Sequence, residues 1–233
     1  MTTEELLNLQ AVDTTADQLT HRRSHLPELV DATAARAARA DWERRRDEIG
    51  RQLDELTAQI ESAELDTGVI DKHRDRLNAQ LRTVIAPREA EALQNQIKTL
   101  SDRRSELDDR ELDALEQQAA LDDERAAHQR VEPAVSAALE AAEAALATAT
   151  SEIDTQLAEL HERRAGLRAG VPAQLLTRYD SLRAQLGVAV ARLVGTRCDG
   201  CHLDLSAAEV DAIKAVEPGE LADCPQCGRL LVR

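Results

Sequence analysis

The sequence predicts a mainly α-helical protein: a long, kinked antiparallel coiled-coil hairpin followed by a small C-terminal four-cysteine zinc ribbon. Three observations carry this expectation. Apolar or small residues recur at steps of three and four through most of residues 1–170, the spacing of a helical seam. Aromatic residues are 1% of the 233 and charged residues 31%, with no Phe, one Trp and one Tyr, which suits long helices burying a narrow stripe and not a wide layered core. The four cysteines, Cys198, Cys201, Cys224 and Cys227, fall as two Cys-x2-Cys pairs with 22 residues between them.

The hairpin is expected over residues 1–170. Its stripe opens with Leu9, Val12, Ala16, Leu19, Leu26 and Val30. Pro27 lacks a helical N–H, so it predicts a kink, or a second helix starting near Glu28. The stripe resumes with Trp42, Ile49, Leu53, Leu56, Ile60 and Ala63, lapses at Asp66-Thr67-Gly68, where a second kink is expected, and returns as Ile70, Leu77, Leu81 and Val84. Pro87 suits the first turn of a new helix, continued by Leu93, Ile97, Leu100 and Leu107. Between Leu107 and Leu112 the spacing breaks the heptad register. Farther on, Leu139, Leu146, Ile153, Leu160 and Leu167 fall seven apart.

A reversal near residues 86–88 makes the arms 2–86 and 88–169 nearly equal, each about 120 Å if fully helical. It sets the Ala-rich stretch Ala32–Ala40 against Ala134–Ala149, and the lapse at Gly68 against the slip at Leu107–Leu112. Heptads alone fix neither partner nor orientation, so a parallel homodimer of long helices is the competing arrangement. Trp42 reads as seam packing.

Residues 171–194 read as a connecting helix from Pro172 to about Leu193, with Leu175, Leu176, Tyr179, Leu182, Leu186 and Val190 on the face that docks the ribbon onto the open end of the hairpin. Tyr179 is assigned to packing, not chemistry. Residues 195–233 form the ribbon. Each cysteine pair closes a turn that presents two thiolates, and two such turns make the tetrahedral four-sulfur cage that zinc prefers, so one structural Zn2+ is expected on Cys198, Cys201, Cys224 and Cys227. Gly200 and Gly228 are expected to use positive φ to turn backbone N–H groups toward the sulfurs. Ser206-Ala207-Ala208-Glu209 has the form of a capping box opening a helix to about Ala215, Glu217-Pro218-Gly219 predicts a turn, and Arg229-Leu230-Leu231-Val232 a closing strand. Cys198-Asp199-Gly200-Cys201-His202 also matches a c-type haem attachment pattern. Met1 is the only methionine and a second cysteine pair would go unused, which disfavours haem. With four thiolates at hand, His202 is expected on the surface or just behind the cage.

This order of parts resembles the bacterial proteins that join a long, kinked coiled-coil hairpin to a C-terminal four-cysteine zinc ribbon. The resemblance covers nearly the whole chain. It rests on Arg88-Glu89-Ala90-Glu91-Ala92-Leu93-Gln94, Ser105-Glu106-Leu107-Asp108-Asp109-Arg110-Glu111-Leu112, and the segments Cys198-Asp199-Gly200-Cys201-His202 and Cys224-Pro225-Gln226-Cys227-Gly228-Arg229. It implies a zinc site on the same four cysteines, and a family usually described as nucleic-acid-binding, some members being linked to partners in transcription or secretion.

Charge points away from nucleic acid. Residues 195–233 carry four basic side chains against seven acidic ones, and the whole chain is −15. Affinity for nucleic acid rests on phosphate neutralisation and aromatic stacking, and the chain is poor in both. Arg44-Arg45-Arg46, and Arg163-Arg164 with Arg168, are the local basic clusters that an RNA-binding alternative would use. Nothing marks an enzyme: the histidines are scattered, with His21 and His25 the one i, i+4 pair, no Gly-rich phosphate loop or nucleophile motif is present, and a closed four-thiolate zinc offers no position for water. The expected protein is a soluble, cytoplasmic, non-enzymatic adaptor, a monomer or weak dimer without a membrane segment, that engages a protein partner through the hairpin. A specific variant has the tip, near Ile70 to Arg88, entering a cavity of a large machine such as RNA polymerase.

Overall fold

The computed structural model describes residues 3–217 and 220–232. In order, the elements are α1 (Thr3–Ser24), α2 (Pro27–Leu81), α3 (Pro87–Ala169), α4 (Ala173–Leu186), β1 (Val190–Val194), β2 (Arg197–Cys198), α5 (Ala207–Ala215), β3 (Ala222–Asp223) and β4 (Leu230–Val232). They fall into two compact units, Asp31–Ala142 and the remainder, Met1–Val30 with Glu143–Arg233. Helix α1 ends at Ser24, His25 and Leu26 intervene, and α2 starts on Pro27, where the missing N–H costs nothing.

In the unit of residues 31–142, α2 and α3 run antiparallel within one chain, so a parallel homodimer is not needed to bury either stripe. Successive cross-seam pairs show the direction: Arg39 reaches Ser136 (3.0 Å), Arg45 Glu124 (2.5 Å), Thr57 Gln118 (3.1 Å) and Asp71 Arg104 (3.0 Å). Trp42, 5% exposed, is the best-defined layer. Its ring stacks on His128 at 5.0 Å and 7°. Its Nε1 donates to the His128 carbonyl (3.0 Å), and His128 Nε2 donates to the Trp42 carbonyl (2.8 Å), so each aromatic satisfies the other's backbone. Pro133 lies inside α3 and removes one helical hydrogen bond. Arg39 grips residues on both sides of it, Glu132 (3.5 Å) and Ser136 (3.0 Å).

Two expectations about this seam are corrected. The stripe does not lapse at Asp66-Thr67-Gly68: α2 stays helical through Gly68, and Trp42, Ile49, Leu56, Ala63, Ile70 and Leu77 form one unbroken seven-residue series, each buried or half-buried. Nor does the register slip between Leu107 and Leu112. Leu93, Leu100, Leu107, Ala114, Leu121 and His128 continue the inward series on α3, whereas Leu112 is 56% exposed and lies off the seam. Polar residues disguised the repeat, because Arg104, Glu111 and Gln118 occupy the alternate inward positions, half-buried.

In the other unit, α1, the last turns of α3 and α4 surround one buried carboxylate. Asp13, 2% exposed, accepts from Arg164 Nε (2.6 Å) and from the hydroxyl of fully buried Tyr179 (2.7 Å), with Arg183 at 3.5 Å. Tyr179 is therefore packing with a polar handle. Burial first, then the Asp13 carboxylate, push its phenol well above the ordinary range. Because the raised value belongs to the folded state, this stability is complete below the unfolded-chain pKa of about 10 and is lost as pH rises beyond it. Tyr179→Phe should cost about 1–3 kcal/mol at pH 7. It should also flatten the alkaline fall in thermal stability that the parent shows above pH about 10; an unchanged alkaline limb would remove Tyr179 as its cause.

The helix expected to reach Leu193 ends at Leu186. Gly187 adopts φ +74° and donates its N–H to Arg183 O (2.8 Å), and the chain then enters β1 at Val190. The sheet order is β2-β1-β4-β3, with β1 and β4 parallel and the other pairs antiparallel. Alternation along these strands divides the core. Val190, Leu230 and Val232 face Leu6, Leu9, Val171 and Tyr179, whereas Ala191 and Leu231 face Cys198, Cys224, Val210 and Ile213. Docking thus depends on α1 as well as α4. Gln10 clamps β1 by donating to the Val190 carbonyl (2.7 Å) and accepting its N–H (2.5 Å), as a neighbouring strand would.

Candidate metal centre

Two short hydrogen-bonded loops build the site. In the first, Cys198 N donates to Leu203 O (3.2 Å) and His202 N to Cys198 O (2.8 Å); in the second, Cys224 N donates to Arg229 O (2.8 Å) and Gly228 N to Cys224 O (2.8 Å). The loops match position for position. The residue four after each leading cysteine takes positive φ, +60° at His202 and +73° at Gly228. A side chain in that region is strained, so His202→Gly should raise the thermal stability of the zinc-loaded ribbon by up to about 1 kcal/mol without changing zinc content. Loss of zinc in that variant would instead make the imidazole part of the site.

Gly200 differs from the expectation of positive φ and is required for space. A Cβ there would sit 2.8 Å from the Ala191 Cβ and 2.8 Å from the Arg229 Cδ. Between the loops, Ser206 caps α5 through a complete capping box with Glu209. The turn expected at Glu217-Pro218-Gly219 falls partly on Pro218 and Gly219, outside the described residues.

The four sulfurs of Cys198, Cys201, Cys224 and Cys227 lie within 4.8 Å of one another, with Cys201 and Cys224 3.9 Å apart. Tetrahedral zinc with Zn–S bonds of about 2.3 Å needs sulfurs about 3.8 Å apart, so the donor set fits. Cys198 and Cys224 are buried, and Cys201 and Cys227 half-buried. Burial pushes the Cys198 thiol up to about 12, and raises Cys224. At Cys227 burial also opposes ionisation, but hydrogen bonds from the Arg229 backbone and side chain and from the neighbouring thiols bring it down to about 7. His202 is exposed and outside the sulfur cluster. A zinc held by four thiolates has no open position for substrate or water, which makes the centre structural.

Sequence reasoning missed what ties this centre to the helices. Gln10 and Asp13 carry no motif; Asp13 is one of 44 acidic residues, and only its place beside Leu9 and Val12 on the buried side of α1 marks it. Among the described residues no helix is long and apolar enough to cross a membrane.

The model for the CT398-like coiled coil hairpin domain matches residues 9–187, and that for the C4-type zinc ribbon domain matches residues 197–231. An uncharacterized protein of Mycobacterium tuberculosis is 28% identical over 229 residues, spanning 98% of this chain and 94% of the relative. A structure from Mycobacterium smegmatis is 26% identical with a TM-score of 0.79, covering 99% of this chain and 97% of its own. The structure of CT398 from Chlamydia trachomatis, 20% identical, has a TM-score of 0.82 over 98% of this chain and 95% of its own, a likeness of fold. With a matched hairpin over most of its length and a zinc ribbon after it, the chain belongs to the family of CT398-like coiled-coil hairpin proteins.

Proposed function

We propose that this is a non-enzymatic cytoplasmic adaptor in which zinc on Cys198, Cys201, Cys224 and Cys227 holds the ribbon, while the coiled-coil hairpin engages a protein partner. What supports this over nucleic-acid binding is the fate of the arginines. Arg44 is closed on Asp41, Arg45 on Glu124 (2.5 Å) and Arg46 on Asp47 (2.7 Å). Arg164 is spent on Asp13 (2.6 Å) and Arg168 on Asp180 (2.8 Å). In the ribbon, Arg197 donates to His202 O and Arg229 to Val188 O, both at 2.9 Å. In these clusters Arg163 alone has no ion-pair partner among the described residues, and guanidiniums already neutralised or held by carbonyls have little left for phosphates, whose neutralisation supplies most nonspecific affinity.

A partner in the transcription or secretion machinery follows the resemblance of layout, as does the narrower idea of a hairpin tip entering a polymerase cavity. The test is affinity capture from a cytoplasmic lysate by the zinc-loaded protein, in parallel with and without nuclease. Proteins retained after nuclease and displaced by excess free protein are the expected result. Recovery of RNA, with every protein lost on nuclease treatment, would put nucleic-acid binding in its place.

A further inference from the structure

We infer that the closed end of the hairpin, residues 70–88, is a docking point for an acidic protein surface that offers an apolar pocket to Ile85. The inference rests on the adaptor reading and gives the partner a chemistry. Helix α2 ends at Leu81, and the turn is tied at both sides: Thr83 N and Val84 N donate to Gln80 O (3.0 and 3.2 Å), and Glu89 N and Ala90 N donate to Ala86 O (3.2 and 3.1 Å). Between these anchors Ile85 is 95% exposed, more than any other large apolar side chain exposed among the described residues. A hydrogen-bonded turn that holds an isoleucine in water presents it at little further ordering cost, which favours association.

The α2 side of the turn is basic: residues 70–88 contain Lys72, Arg74, Arg76, Arg82 and Arg88 against Asp71 and Asp75, a net of +3 in a chain of net −15, with Glu89 and Glu91 following in the first turns of α3. Arg82 and Arg88 stand three residues to either side of Ile85, and neither side chain has an ion-pair partner among the described residues, unlike Arg44, Arg45 and Arg46. An apolar anchor rimmed by free guanidiniums is the arrangement of a protein–protein hot spot facing carboxylates. The stretch has no Phe, Tyr or Trp for a base to stack on, its one ring being the imidazole of His73, and one aliphatic side chain buries too little to hold a bilayer. The partner at this end is therefore acidic, opposite to what the acidic chain as a whole would attract.

The test uses the full zinc-loaded chain and synthetic peptides that combine Glu and Asp with Leu or Phe. The same peptides with Lys for the acids, and acidic peptides without apolar residues, run beside them. A single-stranded RNA oligonucleotide and phosphatidylserine vesicles form two further arms. The expected result is binding only to the acidic–apolar peptides, weakening with salt, and reduced about 30-fold by Ile85→Asp and by Arg82→Glu/Arg88→Glu but not by the surface control Arg163→Glu. No peptide binding, equal binding by the tip variants, or preference for RNA or vesicles overturns the inference. So does self-association abolished by the same substitutions, which would make the occupant a second copy. If nuclease-resistant capture from lysate persists in Ile85→Asp, the adaptor reading stands and the contact lies elsewhere; if the parent itself captures nothing after nuclease, the adaptor reading fails.

Discussion

Cys224→Ser should empty the ribbon of metal, taking zinc from one per chain to below about 0.1. Structural zinc contributes about 10–16 kcal/mol to domains of this kind, and three thiolates with a hydroxyl keep only a small part of it. The consequence should not stop at the cage. Leu231 and Ala191 pack beside Cys198 and Cys224, while their strand neighbours Leu230, Val232 and Val190 pack against Leu6, Leu9 and Tyr179. Loss of the sulfur side should therefore loosen the helical side of the same strands. Amide hydrogen exchange is expected to accelerate in the ribbon and at residues 6–10 and 175–182, with residues 42–77 unchanged. Zinc retained at full stoichiometry would sink the ligand assignment. Exchange spreading into residues 42–77 would show that the hairpin of residues 31–142 depends on the ribbon for its own stability.

Asp13→Ala should destabilise the unit containing α1, α4 and the ribbon by about 3–5 kcal/mol. At 2% exposure the carboxylate is out of water, and its removal leaves Arg164, Arg183 and the Tyr179 hydroxyl turned toward a vacated centre. Breaking a buried ion pair from one side costs up to that much; here Arg164 and Arg183 keep 31% and 25% of their side chains in water and Arg183 keeps Asp17, so the stranded Tyr179 hydroxyl and the lost pairs put the cost at the lower end. Asp13→Asn should cost less, since the amide still accepts one of these bonds. Denaturant unfolding followed by far-UV circular dichroism, with zinc content held constant, measures both. A cost below about 1 kcal/mol for Asp13→Ala would mean that water replaces the carboxylate, and that Leu6, Leu9 and Tyr179 carry the packing alone.

These two sites differ in how far they could be read in advance. Cys-x2-Cys pairs state their chemistry in their spacing, and the capping box at Ser206 states its own, so the ribbon's metal and its helix were both legible. Apolar spacing also announced the hairpin. Its continuity was hidden because Arg104, Glu111 and Gln118 take inward positions by burying their stems, which a count of apolar residues scores as gaps. The short strands β2 and β3, two residues each, are too brief for any periodicity, and Val190 fits a helical stripe as well as a strand. The positive φ at Gly187 is what separates the two. Asp13 and Gln10 were illegible because a buried polar residue is defined by what surrounds it in space.

Trp42 and Tyr179 are the only tryptophan and the only tyrosine, phenylalanine is absent, and the two lie in different units. Each unit thus carries a single intrinsic fluorophore. Tryptophan emission excited at the red edge of its band reports the stacked layer with His128 alone, and the tyrosine signal reports the Asp13 centre. Melting of the two units can then be recorded separately in one unlabelled sample, without introducing a dye or a further substitution.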